Sequence, residues 1–463
     1  MRSDRYLQDD PQQDTTKTER QTRVQRHAAS QAVRQTEQQR LDAKQRQTEP
    51  RKPRRRRGSL RNRRLILLIL VLLLLIAAVV LIPYLAARRS LNVSFPEEAP
   101  AVAFGGQYAA EDFILDSSGE ITAGQEYLDT TSLGEQELVY TASKPVLGGL
   151  LMPSRDFTLH YFVIDTTPPV TLWSGNGTVL EAGTEFDIDQ VIAYGDNADP
   201  APSVDVQGKV DMDTAGEYPL HVTVTDASGN ETAWDLTVEV ADALPEYTDD
   251  AERTSFADFA AEYGGDGRQV GIDVSSWQGE IDFEAVKNAG CEFVIIRVGY
   301  SLDGEFTVDS QFRQNLAGAR EAGLKFGLYM YSADDSETDV AAAVDQIAGL
   351  LDAELPDVVM PDYPIAFDWE DFGSFQSHGL SFAGLNRLYD AFAEEFSFNG
   401  YETMLYSSRN YLGNVWTDTE IRPVWLAHYT DRTDYDGSYM LWQVSSTGRI
   451  DGIEGDVDLD VLM

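Results

Sequence analysis

The chain has 463 residues, with 36 Lys+Arg, 77 Asp+Glu, 43% hydrophobic residues and one cysteine. That length allows two to four domains with packed cores, and the lone Cys291 excludes an intramolecular disulfide framework or a cysteine-rich zinc site. Five histidines without an HExxH pair, and no GxxxxGK[ST] or strand-borne GxGxxG, leave no expected metal, nucleotide or other cofactor.

The net charge of −41 is an average over unlike regions. Residues 1–64 hold 19 Lys+Arg and 8 Asp+Glu, whereas residues 90–463 hold 15 and 69. The basic segment is rich in Gln, Arg and Thr, too poor in apolar residues to bury a core, and is expected to be a disordered cytoplasmic tail. Its RKPRRRR run (51–57) reads as an anchor on anionic lipid, so no nucleic acid is expected as a partner.

Residues 65–87 carry no charge and begin with 18 consecutive apolar residues, Leu65–Ile82. At 1.5 Å per residue that run covers about 27 Å, near the roughly 30 Å of a bilayer core. Seven arginines crowd its N-terminal flank from Arg54 to Arg64, against Arg88 and Arg89 after it. The positive-inside rule therefore predicts a single-pass transmembrane helix at 65–87, with the N-terminus cytoplasmic and the acidic region outside the cell.

Residues 91–240 alternate apolar and polar residues in short runs such as FTLHYFVID (157–165) and YPLHVTVTD (218–226), separated by Gly, Asp, Asn and Pro. YAAEDFI (108–114) aligns with FDIDQVI (186–192), and DTTSLGEQELVYTA (129–142) with DMDTAGEYPLHVTV (211–224). Two small all-β sandwich modules are expected, at 91–165 and 166–241. DTTPPV (165–170) and VTDASGNETAWDLTVEV (224–240) resemble bacterial immunoglobulin-like surface domains. The modules read as a spacer, with cell-envelope proteins as candidate partners. Acidic DNADP (196–200) reads as a solvated loop, with Ca²⁺ binding as the second reading. Residues 242–268 read as an acidic linker with a weakly amphipathic piece around Phe256–Tyr263.

From Gln269 strands alternate with helical patterns. The predicted strands are 270–277, 293–300, 325–333, 364–371, 402–408, 424–430, 439–446 and 456–462, with helices between the early ones. The fold class is α/β, a TIM-like (β/α) barrel over 269–463 with a degenerate second half. Chemistry on such a barrel sits where strands end. Asp273 ends the first strand; Asp368 and Glu370 end the fourth and, being i and i+2, share one face while Trp369 faces the helices. Convergent carboxylates shift one another's pKa so that one is held as an acid while another stays ionised, the division of labour glycoside cleavage needs. Tyr329, Tyr331, Tyr406, Trp425, Tyr429 and Trp442 are placed to stack on sugars.

GIDVSSWQGEIDFEAVKNAGCEFVIIRVGY (271–300), GLYMYS (327–332), AFDWED (366–371), WLAHYT (425–430) and LWQVSSTGRIDGIEGDVDLD (441–460) occur in order. Together they closely resemble glycoside hydrolase family 25, the muramidases of bacteria and phages, over about 190 residues. The resemblance implies hydrolysis of the β-1,4 bond between N-acetylmuramic acid and N-acetylglucosamine in peptidoglycan glycan strands. It implies Glu370 as general acid, Asp368 as partner carboxylate, Asp273 as the first strand's acid and Asp458 as a C-terminal acid, with Asp451 a rival for that last role. Whether a carboxylate or the substrate's acetamido oxygen is the nucleophile stays open. One departure is Arg297-Val298-Gly299-Tyr300, where some members carry Lys-x-Ser/Thr-Glu-Gly. The expected protein is thus a membrane-anchored extracellular muramidase. The alternative is a non-catalytic glycan-binding or scaffold protein of the cell surface.

Overall fold

The computed structural model describes residues 60–463, apart from residues 247, 250, 303 and 356–359, with side chains from residue 63. The expected basic tail lies, up to residue 59, outside the described residues. A helix spans Leu60–Ser90, and its stretch Arg63–Ser90 is long and apolar enough to cross a membrane. Its leucines, isoleucines and valines from Leu65 to Ile82 are exposed almost throughout, an apolar surface far larger than soluble proteins leave to water.

The repeat seen in the sequence is a structural repeat. Gly134–Ser143 and Gly216–Thr225 are ten-residue strands with the same sequence of buried and exposed positions. Each pairs antiparallel with an eleven-residue strand, Ser154–Ile164 and Glu231–Ala241 respectively. A short strand then adds parallel to each long one, Ala101–Ala103 in the first copy and Val179–Glu181 in the second. A fourth strand completes each sheet. Small two-stranded sheets pair Val93–Ser94 with Asp116–Ser117, and Val170–Trp173 with Ala193–Gly195. Period-2 alternation puts Leu138, Tyr140, Leu159, Tyr161 and Val163 in the first core, and Leu220, Val222, Val224, Leu236 and Val238 in the second.

The C-terminal region is built on a ten-stranded sheet, eight of whose strands close a ring. They are β1 (Gln269–Val274), β2 (Phe293–Leu302), β3 (Lys325–Ser332), β4 (Ile365–Asp368), β5 (Thr403–Ser408), β6 (Val424–Ala427), β7 (Leu441–Arg449) and β8 (Val457–Leu462). Neighbours from β1 to β7 pair in parallel. β8 runs antiparallel to both β7 and β1 and closes the ring. Helices Phe283–Asn288, Phe312–Glu321, Glu337–Glu354 and Phe382–Phe398 lie between successive early strands. Only the four-residue helix Arg409–Leu412 follows β5, and no helix joins β6, β7 and β8.

Strands covered on both faces read as continuous apolar runs, as FVII in β2 does. One face of β2 through β7 fills the barrel: Phe293, Ile295, Tyr329, Ala366, Met404, Tyr406, Trp425 and Leu441. The other face packs on the helices: Val294, Ile296, Leu328, Phe367, Leu405 and Leu426. Each such burial contributes about 1.5–3 kcal/mol relative to exposure. Gly271 on β1 points inward, where a Cβ would come within 2.6 Å of the Phe293 ring, so glycine makes room for that ring.

Two expectations change here. The linker expected at 242–268 is in part barrel: Thr254–Ser255 pairs with the end of β7, and the following helix Phe256–Tyr263 buries Phe256, Phe259 and Tyr263. Arg253 bonds Asp456 at 3.2 Å, so the stretch is tied to the turn before β8. The amphipathic spacing noted at 256–263 is the buried face of a helix. The second β module, read as a spacer, also packs against the barrel. A Cβ on Gly195 would lie 2.5 Å from Phe382 and 2.7 Å from Phe375, and Gln376 donates to the Ile192 carbonyl at 3.1 Å.

Candidate active site

All the parallel strands end on one face of the barrel, and β8 enters from that face because it runs the other way. The register pairs Asp273 with Asp458 and Gly271 with Asp460. Asp458 therefore lies at the mouth, and Asp460 one layer deeper. On β4, Ala366 and Asp368 point inward while Phe367 and Trp369 point out. Trp369 is fully buried, and its Nε1–H donates to the Asp334 carbonyl at 3.2 Å. That anchor holds the strand end that presents Asp368 and Glu370. Asp368 is buried, and Glu370, just beyond the strand, opens to solvent at the rim.

These acids surround a cleft of about 610 Å³ lined by Asp273, Asp368, Glu370, Asp458 and a wall of aromatics. Tyr329, Tyr331, Tyr406, Trp425 and Tyr429, each expected at the site, all line it. Trp425 is wedged edge-on between Tyr406 at 4.7 Å and Tyr329 at 5.9 Å between ring centres. Gln443 on β7 organises the floor: its Oε1 accepts from the Tyr406 and Tyr429 hydroxyls at 2.9 Å each, and its Nε2 donates to Asp273 Oδ2 at 2.8 Å. Beneath, Trp425 Nε1–H donates to Asp460 Oδ1 at 2.8 Å.

Two expected residues are elsewhere. Alternation on β7 turns Leu441 and Gln443 inward and therefore Trp442 outward, where it meets Tyr263 edge-on at 5.6 Å and donates to the His428 carbonyl. Asp451 is exposed in the turn between β7 and β8 and is not part of the cleft lining. Conversely, Ser276, Trp277, Arg297, Tyr300 and Gln443 line the cleft unanticipated. Asp460 was legible by the i/i+2 rule applied to Asp458, and Gln443 by the same rule from Leu441. Trp277, at the very end of GIDVSSW, is strongly exposed at the rim.

Desolvation dominates the electrostatics. Burial first, then the charge of Glu370, pushes the Asp368 carboxyl well above its ordinary value; Arg297 opposes. Asp368 Oδ1 has no hydrogen-bond partner among the described residues. Burial and the adjoining Asp460 raise Asp273 strongly, against the Gln443 bond, and Asp460 is raised likewise by burial and Asp458. Asp458 is pushed up to about 9, by burial and then by Asp273. Glu370 is raised by desolvation, and its contact with the Tyr406 hydroxyl draws it part of the way back. Arg297, the one cation among the described residues of the lining, is held by Asp309 at 2.8 Å and by Ser276 Oγ at 3.1 Å. The cleft is thus a crowd of like charges with one anchored counter-charge, an arrangement that keeps protons on some of its carboxyls at neutral pH.

An eight-stranded barrel that brings carboxyls and aromatics together at one mouth offers the groups that acid–base chemistry on a sugar uses. Residues 272–453 match the glycosyl hydrolases family 25, and residues 170–240 match the Ig-like domain of bacterial surface proteins. The protein YegX of Escherichia coli (strain K12) is 30% identical over 201 residues, covering 41% of this chain and 68% of YegX. The autolytic lysozyme of Clostridium acetobutylicum is 32% identical over 193 residues, covering 41% of this chain and 54% of that protein. The chain thus spans about half the length of that relative. Among solved structures, the modular autolysin LytC from Streptococcus pneumoniae aligns at 23% identity and a TM-score of 0.38, over 52% of this chain and 56% of that one. The chain belongs to glycosyl hydrolases family 25.

Proposed function

We propose that the protein is a membrane-anchored muramidase that hydrolyses the β-1,4 bond between N-acetylmuramic acid and N-acetylglucosamine in peptidoglycan outside the cell. The observation that carries the reading is the convergence of Asp273, Asp368, Glu370 and Asp458 on one aromatic-walled cleft. Glu370, raised yet reachable from solvent, delivers a proton to the glycosidic oxygen as the bond breaks. A neighbouring carboxylate, Asp368 or Asp273, stabilises the positive charge that develops on the sugar or its acetamido group. The tyrosines, Trp425 and the rim Trp277 supply faces for sugar rings. A relative named an autolytic lysozyme fits the same chemistry.

Residues 65–87 hold the protein in the bilayer, with the basic tail inside and residues 90–463 outside. We assign residues 91–165 and 166–241 as two modules that follow the membrane segment and precede the barrel in the chain. Mass spectrometry of fragments released from purified cell wall by the full-length protein in detergent tests the reaction. Muramic acid at the reducing end is the expected product; glucosamine there, or no release, overturns the assignment.

A further inference from the structure

A second group of buried carboxylates lies outside the cleft. Asp165 follows the last strand of the first module, Asp196 follows Ala193–Gly195, and Asp226 follows Gly216–Thr225. One carboxylate oxygen from each lies within 4.8 Å of the others. All three are at least nine-tenths buried, and Asp196 is completely so. The loop expected to be solvated at 196–200 is therefore closed over at its first residue, because the start of the helix Phe382–Phe398 covers it.

Backbone and amide donors hold one oxygen of Asp196 and one of Asp165. Asp196 Oδ1 accepts from Ala198 and Asp199 N–H at 2.9 and 2.7 Å, and Asp165 Oδ1 from Thr167 N–H at 3.0 Å and the Asn197 amide at 3.2 Å. Asp196 Oδ2, Asp165 Oδ2 and Asn197 Oδ1 are buried with no hydrogen-bond partner among the described residues. Asp226 is oriented by the Ser228 and Asn230 N–H groups and by the Asn230 amide at 2.7 Å. No ion pair among the described residues involves any of the three. Buried anions without a counter-charge are costly, and buried carboxylates are paired or coordinate metals.

We propose that Asp165, Asp196 and Asp226, with the Asn197 side-chain oxygen, form a calcium site. Only oxygen is offered, which suits a hard cation and not zinc, whose sites use histidine and cysteine. Oxygens bound to one Ca²⁺ at 2.3–2.6 Å lie at most roughly 5.2 Å apart, and the observed spread fits that limit. Calcium also tolerates the irregular, mixed carboxylate and amide set that the octahedral demand of magnesium resists. The site sits at a three-way junction. Asp165 ends the first module, Asp226 belongs to the second, and the carbonyls of Asp196 and Asn197 accept from Phe382 and Ala383 of the barrel at 2.7 and 3.1 Å. A bound ion locks the second module onto the helix that follows the Glu370 loop.

Calorimetric titration of the full-length protein in detergent, stripped with chelator, with Ca²⁺ alone tests this. The expected result is one saturable site per chain with a Kd of roughly 10⁻³ M or tighter, and a rise in the unfolding temperature as it fills. Asp196→Asn, and separately Asp226→Asn should the first not fold, weakens binding at least about tenfold, from the loss of one charged ligand. Asp205→Asn, at an exposed position on the strand Ser203–Gly208 of the second module, leaves the Kd within about twofold, as a surface change outside the site should. No saturable binding, unchanged binding by folded Asp196→Asn and Asp226→Asn, or loss of binding by Asp273→Asn instead would each overturn the site. Equal affinity for Mg²⁺ would overturn its assignment to calcium.

Discussion

Among the described residues, buried carboxylates cluster in two places, and their surroundings differ. Around the barrel mouth, Asp273 and Asp460 are bonded by side chains, Gln443 and Trp425, and Asp368 keeps one oxygen with no partner among the described residues. At the module junction, the aspartates are gripped largely by backbone N–H groups within tight turns. The mouth also opens into a cleft walled by flat aromatic rings, whereas the junction is covered by a helix start. Side chains around an open cleft can yield to a large organic substrate. Backbone turns around a closed point fit something small and spherical. Counting acids in a sequence does not separate these two cases; the donors that surround them do.

The comparison is broken most directly at the mouth. Glu370→Gln keeps the shape of the side chain and removes the proton it can deliver. General acid assistance contributes about 10²–10⁴-fold, so muropeptide release is expected to fall by at least that order while circular dichroism stays unchanged. Near-normal release by a folded Glu370→Gln protein would make the mouth, too, a binding site. Asp368→Asn is expected to lose heavily as well, and Asp273→Asn at least about tenfold, since the two share the negative charge that faces the developing cation.

Much of this was legible beforehand, and the exceptions have physical causes. The strands of the barrel, the repeat in the modules and the pairing of Asp368 with Glu370 follow from period-2 alternation, which is local. Trp442 lies outside the cleft because that same alternation along β7 sends Gln443 inward instead. Asp451 fell outside because an exposed turn offers no periodicity to constrain it. The helix Phe256–Tyr263 looked like linker because its partners, Trp442 and the end of β7, lie some 180 residues on in the chain. The burial of Asp196 is a tertiary fact: nothing within DNADP says that Phe382 will close over it.

A smaller effect sharpens the substrate half of the comparison. Trp277 is exposed at the rim, so its removal costs little stability and subtracts one stacking face. Aromatic contacts of this kind contribute about 0.5–1.5 kcal/mol. Trp277→Ala is therefore expected to raise KM for glycan strands roughly two- to tenfold, with kcat little changed. An equal loss in kcat with KM unmoved would place Trp277 in the chemistry and not in binding.

The smallest expected change concerns stability, and its sign follows from Asp458. Its pKa in the folded protein is pushed up to about 9, through burial and the charge of Asp273, whereas the unfolded chain holds it near its ordinary value of about 3.9. Below that lower value both states are protonated and the group has no effect on folding. Between the two values the unfolded chain releases the proton and the folded protein retains it, so stability falls as pH rises through that window and levels off above about 9. Part of the mouth is solvated, which narrows the effective window and keeps the total change well below that of a fully buried carboxyl. Asp458→Asn removes this proton from both states. Its unfolding temperature should match wild type near pH 4 and exceed it modestly at pH 8, as thermal scans of the two proteins in parallel would reveal. A variant less stable than wild type at pH 8 would mean that Asp458 is held there by a favourable partner, and that the mouth grips its acids as firmly as the junction does.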